Sequence, residues 1–311
     1  MSEVEGKVAF ITGGSSGIGL GIARAFFDAG MKIVIGYRTK AHLDAAMKCF
    51  EGAMDRVHAI SVDVTDRPGM EKAARKTVQV FGKVHVLVNN AGVVVGKPVS
   101  STTYDDWDWV INVNQTGVFN GIHAFLPYLK AHGEGGHIVT TSSMEGLYAQ
   151  KIFGSYTASK FAVVGLMEAL RAELADTPIG VSLYCPGWVV SDVGNADRNR
   201  PGTESATAGQ EAKPASISSQ KDQRDNDKYA NLSMGPLDAG RLVLRGMRND
   251  DLYILTHPEF EQVLRDRNDA LMASIPTDVP APAERVEIIR LALKNTIYTT
   301  ERARKRAVKN T

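Results

Sequence analysis

The stretch Thr12-Gly13-Gly14-Ser15-Ser16-Gly17-Ile18-Gly19 restricts what this chain can fold into more than any other. It follows a short apolar run, Val8 to Thr12, that reads as a buried strand. It opens a segment, Gly17 to Gly30, in which Ile18, Ile22, Ala25 and Phe26 recur at helical spacing. Glycines let a backbone turn tightly and come close to a ligand. A helix start beyond such a turn offers unpaired N–H groups and the positive end of a dipole to a pyrophosphate. A lone glycine cluster says little; one with a strand before it and a helix after it points to a dinucleotide. Gly13, Ser15, Ser16, Gly17, Ile18 and Gly19 are therefore expected at a cofactor, against the plainer reading of a glycine-rich turn without a ligand.

The alternation continues. Strands are predicted at Ile33–Ile35, Val57–Val62, Val84–Val88, His137–Thr141, Val181–Cys185 and Leu252–Leu255. Helices are predicted near Ala41–Phe50, Gly69–Phe81, Ser155–Leu174 and Leu237–Met247. A long helical region spans Tyr104–Leu129, with Pro127 expected to end or bend it. This predicts an α/β fold: a Rossmann-type doubly wound parallel sheet of about seven strands with helices on both faces, residues 1–311 forming one domain. Sites in such sheets lie beyond the carboxyl ends of the strands. A polar stretch within residues 192–236 breaks the rhythm and reads as a substrate-binding loop or lid, or as a surface insertion. The basic tail at residues 300–311 reads as solvated and flexible.

Charge excludes some partners. With 36 basic and 35 acidic residues the net charge is +1, which gives nucleic acid or a membrane surface no general attraction. Two cysteines require no disulfide framework, and a reducing compartment follows. Glu3 and Glu5 occupy the place of a secretory signal's basic residues, and no run of eighteen apolar residues occurs, so a cytoplasmic location is expected. No metal is called for.

The end of the second strand reads Gly36-Tyr37-Arg38, without the acid that would accept hydrogen bonds from an adenosine ribose. Arg38 could pair with a 2′-phosphate, which favours NADP(H) over the alternative, NAD(H); an ordinary solvated arginine is the other reading. Asp63 could receive the adenine amino group with help from the Val64 backbone, or cap a turn. Asn90, Ala91 and Gly92, after Asn89, leave room for the adenosine side.

Tyr156 and Lys160 stand four apart on a predicted helix and share a face. An ammonium beside a phenol favours the phenolate, and a phenol so lowered serves as a general acid or base. Ser143 lies just past the fifth strand, where its hydroxyl could hold a substrate oxygen or merely make a turn. Asn114 falls within a helical stretch, where it could accommodate a local irregularity or a water.

Together these pieces resemble the short-chain dehydrogenase/reductase family. Thr12–Gly19, Asp63-Val64, Asn89–Gly92, Asn114, Ser143, Tyr156-Thr-Ala-Ser-Lys160 and Pro186-Gly187 occur in that family's order, Ser143 thirteen residues before Tyr156. The resemblance covers about residues 5–191 closely. It implies that Tyr156 exchanges a proton with the substrate oxygen, that Lys160 lowers the phenol and holds the nicotinamide ribose, that Ser143 orients the substrate oxygen, and that Asn114 positions a relay water. It places Pro186 and Gly187 beside the nicotinamide, the Val189 backbone at its carboxamide, and Ser191 where a hydroxyl is kept. It also implies a homodimer or homotetramer built on the segments Asp105–Leu129 and Gly154–Leu174. Phe161, Val164 and Leu166 could serve either that interface or the core.

The substrate is read less directly, as a small-molecule carbonyl or secondary alcohol. Met144, Leu147, Tyr148, Phe153 and Trp188 suggest a bulky apolar or aromatic compound, or else loop packing. Glu145 could meet a polar substrate group or face water. The phrases RNDDLYILTHPEF and SLYCPGW resemble a subgroup that includes bacterial alcohol dehydrogenases acting on lignin-derived aryl ethers. That implies NAD-dependent oxidation of a benzylic alcohol, beside the NADPH-dependent ketone reduction that the Tyr37-Arg38 pair favours. A non-catalytic cofactor-binding sensor, and epimerisation or dehydration of a sugar nucleotide, are the readings from other classes.

Overall fold

Alternating side chains in β1 (Val8–Thr12) send Phe10 to one face of a sheet and Ala9 and Ile11 to the other. The computed structural model describes residues 1–200, 232–293 and 296–309. Its further strands are β2 (Lys32–Tyr37), β3 (Val57–Ser61), β4 (Val86–Asn89), β5 (Gly136–Thr141), β6 (Ile179–Cys185) and β7 (Tyr253–Leu255). All pair in parallel, in the order β3-β2-β1-β4-β5-β6-β7. The register lines up Val34, Phe10, Leu87, Ile138 and Val181 as one row, and Ile35, Ile11, Val88 and Val139 as the next.

Each row faces its own layer of helices. The Phe10 row packs under α3 (Arg67–Phe81), α5 (Gly117–Ala131) and α6 (Gly154–Glu173), through Met70, Phe125 and Met167 among others. The Ile11 row packs under α1 (Gly17–Asp28) and α7 (Pro236–Arg248), through Ile22, Phe26, Val243 and Met247. Leu43 of α2 (Lys40–Met47) joins this second layer. Burying side chains of this size contributes about 1.5–3 kcal/mol each. From β3 the chain crosses to β4 on the other side of β1. The loops after β1 and β4 therefore diverge, opening a crevice above the strand ends. The doubly wound, seven-stranded expectation is met.

Several local expectations change. The long helical region is two helices, α4 (Tyr104–Ile111) and α5, joined by a single π-helical turn at Asn112–Thr116. Pro127 does not end α5, which runs to Ala131; Phe125 and Leu129 on its buried face outweigh the lost hydrogen bond. Within the expected loop at 192–236, a 3-10 segment spans Asp192–Asn199, and residues 201–231 lie outside the described part.

Three further helices follow β7: α8 (Glu261–Ala273), α9 (Ala283–Ala292) and α10 (Ile297–Lys309). The tail expected to be flexible is thus helical to Lys309 and anchored. Buried Glu301 accepts the Leu252 N–H at 3.0 Å, and Lys305 pairs with Asp251 at 2.6 Å. No helix among the described residues is long and apolar enough to cross a membrane.

Candidate active site

Beyond β1 the chain turns through Gly13 (φ 63°) and Gly17 (φ 48°), left-handed conformations that side chains resist. A Cβ on Gly19 would collide with the Gly13 carbonyl and the Asn90 amide, so α1 starts hard against the turn. Ser16, its N-cap, makes no side-chain cap bond, which leaves the first-turn N–H groups without that partner. Thr12 Oγ1 accepts the N–H groups of Asn90 (2.9 Å) and Ala91 (3.0 Å), tying the loop after β4 to β1. A close-approach glycine cradle with an uncapped helix start suits the pyrophosphate of a dinucleotide.

Of the residues expected at the cofactor, Gly13, Ser15, Ser16, Gly17, Ile18, Tyr37, Arg38, Asp63, Val64, Asn90, Ala91, Gly92, Tyr156, Lys160, Pro186 and Ser191 line one continuous cleft. Gly19, Gly187 and Val189 are not among the residues that line it. The Gly187 N–H donates to Thr256 Oγ1 at 3.0 Å, so β7 steadies the Pro186-Gly187 turn. Val189 forms a parallel bridge with Met234 that uses the Trp188 carbonyl and the Val190 N–H. Strand alternation turns Val189's own N–H and C=O to the opposite side.

At the adenosine end, Arg38 Nη1 lies 3.3 Å from Asp63 Oδ2, and Nη2 donates to the Asn199 carbonyl at 2.7 Å. Asp63 Oδ1 accepts both the N–H and the hydroxyl of Thr65, at 2.9 and 2.8 Å. Asp63 is therefore a turn cap and a partner of Arg38 at once. Arg38, expected either to meet a 2′-phosphate or to be an ordinary solvated side chain, already has two partners within the protein.

At the other end the four expected catalytic residues converge. Lys160 is buried, and its Nζ donates to the Thr141 carbonyl at 3.0 Å. It sits 5.5 Å from the centre of the Tyr156 ring. A Cβ on Gly92 would lie 3.4 Å from Asn114 Oδ1 and 3.6 Å from Lys160 Nζ, so both groups close on the same point. The π-turn is the irregularity expected at Asn114. The side chain exchanges two 2.8 Å bonds with the Val93 backbone, and its Nδ2 also donates to Ser159 Oγ at 3.0 Å. Ser143 Oγ accepts the Glu145 N–H at 3.1 Å, so it is a turn residue as well as a member of the group.

Burial lowers the Lys160 ammonium to about 8. Desolvation pushes the Tyr156 phenol up to about 12; the Ser143 hydroxyl opposes this and the Glu145 charge adds to it. The expected lowering of the phenol by Lys160 is absent in the protein alone. Loss of hydration outweighs an ammonium at this separation.

On the substrate side Tyr148 and Phe153 are half-buried and Trp188 is exposed. The Phe153 ring stands edge-on to Tyr156 at 6.3 Å. Leu147 and Tyr148 both pack against the core as well. Glu145 neither faces water nor offers a free carboxylate: it is buried between Thr157 and Gln150. Sequence reasoning missed Phe260, whose ring lies 5.6 Å from Tyr148, and Thr256 behind Gly187. Both belong to the THPEF segment after β7, which had been read as a resemblance and assigned no contact. It also missed Asp106, buried on α4 and bonded at 2.6 Å to both Lys97 and Arg200.

Residues 7–201 match the family model described as short chain dehydrogenase. The chain is 35% identical over 293 residues to the C alpha-dehydrogenase of Sphingobium sp. strain SYK-6, covering 93% of this chain and 94% of that relative. The crystal structure of LigO from the same strain, in its apo form, superposes with a TM-score of 0.75 at 36% identity, over 96% of this chain and 99% of that one. A short chain dehydrogenase/reductase from Burkholderia phymatum, solved in complex with NAD, gives 0.78 at 32% identity, over 90% and 99%. The cradle, the cleft and these likenesses agree: the chain belongs to the short-chain dehydrogenase family and is a nicotinamide-dinucleotide oxidoreductase acting on alcohol or carbonyl substrates.

Proposed function

We propose that the chain oxidises a secondary alcohol on a carbon next to an aromatic ring, giving the ketone and reduced NAD. One observation carries the reading. The likeness to the C alpha-dehydrogenase runs through 93% of the chain, well past the family core and through the THPEF segment that brings Phe260 to Tyr148. Phe153, edge-on to Tyr156, with the Tyr148–Phe260 pair and exposed Trp188, supplies aromatic surface suited to an aryl group. NAD, when bound, accepts the hydride. Tyr156 takes the hydroxyl proton, Ser143 donates to the same oxygen, and Lys160 supports the phenolate from behind. Asn114 shapes the π-turn and positions a water that links Lys160 to solvent as a proton relay. The Val189 backbone holds the carboxamide, and Ser191 adds a hydroxyl. Assembly as a dimer or tetramer through α4, α5 and α6 is supported by exposed Trp107 and Phe119; Val164 belongs to the core.

NAD(H) is favoured because Arg38 is already engaged: a 2′-phosphate would compete with Asp63 and with the Asn199 carbonyl. NADPH-dependent reduction of a bulky ketone is the second reading, favoured by the absence of an acid at Tyr37. Titration of the protein with NADH and NADPH, followed by assay of racemic 1-arylpropanols and aryl ketones, decides between them. Tight NADH binding with alcohol turnover supports the first; a tenfold preference for NADPH with ketone turnover only would replace it by the second.

A further inference from the structure

Residues 261–293 form an arm that leaves the body of the chain beside α6 and returns to it there. Phe260, Leu264, Leu271 and Ile275 fall on one helical stripe through α8. Phe260 and Leu264 pack against the core, and the Arg267 guanidinium covers the Phe161 ring of α6 at 5.2 Å. Leu271 and Ile275 carry the stripe onward, each 56% exposed. Every residue from 265 to 293 is exposed, and α9 buries none of its side chains. The chain is back at Tyr298, whose hydroxyl donates to Glu168, again on α6, at 2.8 Å.

α9 is too short and too apolar to stand uncovered. A lone helix of this length is marginal in water. Val286, Ile289 and Leu293 line one side of it, Ile288 and Leu291 another, so apolar groups surround the axis. A helix of that kind belongs in a covered place. Nine large apolar side chains between Leu271 and Leu293 are 48–66% exposed. They present on the order of 500 Å² of apolar surface in one projecting segment, where a patch on a lone chain seldom exceeds a few hundred.

We propose that this arm is an interaction surface for a second copy of the chain, which it embraces alongside α6. In a two-fold pair each chain gives one arm and receives one. Two arms and the surfaces that receive them cover roughly 2,000 Å², what a stable dimer needs. Both anchors of the arm lie on α6, and the outer face of that helix between them is bare. Gly165 and Ala169 are exposed there, and a Cβ on Gly165 would touch nothing. A second copy can therefore come close to α6 and meet the arm at its side. Charge argues against other occupants. The arm has six acidic and four basic side chains, which gives no cationic face for an anionic membrane. Arg265 and Arg290 are already paired within their own helices, with Glu261 and Glu287. The cover must also be at hand whenever the chain folds, and another copy always is. This interface is independent of which alcohol the site oxidises.

Sedimentation of the full chain from nanomolar to micromolar concentration, beside Ile289→Glu and Leu293→Glu, tests the assignment. Self-association of the parent is expected, weakened about a hundredfold or more by either variant with NADH binding intact. A parent that stays monomeric at micromolar concentration overturns the proposal, as does association that neither variant changes. Phe119→Glu, outside the arm, reports on the α4–α6 contact. Dissociation in that variant alone puts the whole interface there and likewise overturns the proposal. If the arm variants do not fold, as judged by NADH binding, amide hydrogen exchange of the unaltered chain decides. Amides of residues 284–293 are expected to exchange slowly in concentrated protein and quickly once it dissociates. Fast exchange at every concentration, or slow exchange that survives dissociation, overturns the proposal.

Discussion

Arg38 and Asp63, at the ends of the neighbouring strands β2 and β3, close the adenosine end of the cleft with a 3.3 Å salt bridge. The pair is well exposed, 42% and 37%, and contributes little to stability, within about 1 kcal/mol. Its consequence lies in cofactor choice. Asp63→Asn releases Arg38 while keeping the Thr65 cap, and is expected to tighten NADPH several-fold with little change for NADH. Fluorescence titration at fixed ionic strength, with melting temperatures as control, measures both.

Tyr156→Phe is expected to lower turnover by about a hundredfold or more, the usual worth of a positioned acid or base, while dinucleotide binding persists. Turnover above a tenth of the parent's would remove Tyr156 from the proton path.

The Lys160 ammonium, lowered to about 8 by burial, is present below that pH and lost above it. Ketone reduction that needs this charge falls as pH rises through about 8. In Lys160→Arg the charge persists, and the fall is expected to vanish from the profile of kcat/KM, whatever the absolute rate.

His137 gives a prediction about stability. Its ring is fully buried on β5, bonded at 2.8 Å to Ser182 Oγ, and desolvation lowers its pKa to about 3. Between about 3 and 6.5 the unfolded chain holds a proton that the folded chain does not. Stability therefore falls as pH drops through that window, by up to about 1.4 kcal/mol per unit. Urea midpoints of the parent and His137→Leu, compared from pH 7 to pH 4, are expected to draw together as the parent loses this increment.

Glu301→Ala leaves the buried Leu252 N–H without its 3.0 Å partner. A cost of about 1–3 kcal/mol is expected, read as a lower urea midpoint.

The layers and the dinucleotide cradle were legible because they depend on local patterns. Apolar runs in β1, β4 and β5 and the Gly13–Gly19 turn carry their own geometry. The four expected catalytic residues were named through the family resemblance, none being distinctive by itself, and they lie near one another at the ends of β4 and β5 and on α6. What escaped depends on contacts between distant segments. Arg38's protein partner is not read from the sequence, because β3 sets Asp63 beside it from 25 positions away. Glu145 reads as meeting a polar substrate group or facing water, and the approach of Thr157 and Gln150 to its carboxylate encloses it instead. Phe260 has no periodic neighbour to announce it, and α10 hides its anchor, Glu301, in a basic stretch that looks solvated.

The π-turn at Asn112–Thr116 has a consequence for chain length. An added residue in a helix advances everything beyond it by about 100° and 1.5 Å. At about 100° per residue an unbroken α-helix would turn Val118, Ile122 and Phe125 well away from Trp109 and Val110, yet all five are buried in the same layer, because the wider π-turn takes up the extra residue. Deleting one residue there would make a more regular helix that keeps the apolar stripe of α5 in register but loses the turn that holds Asn114 against Val93 and Ser159. This stretch of chain is therefore expected to tolerate substitution more readily than a change of length.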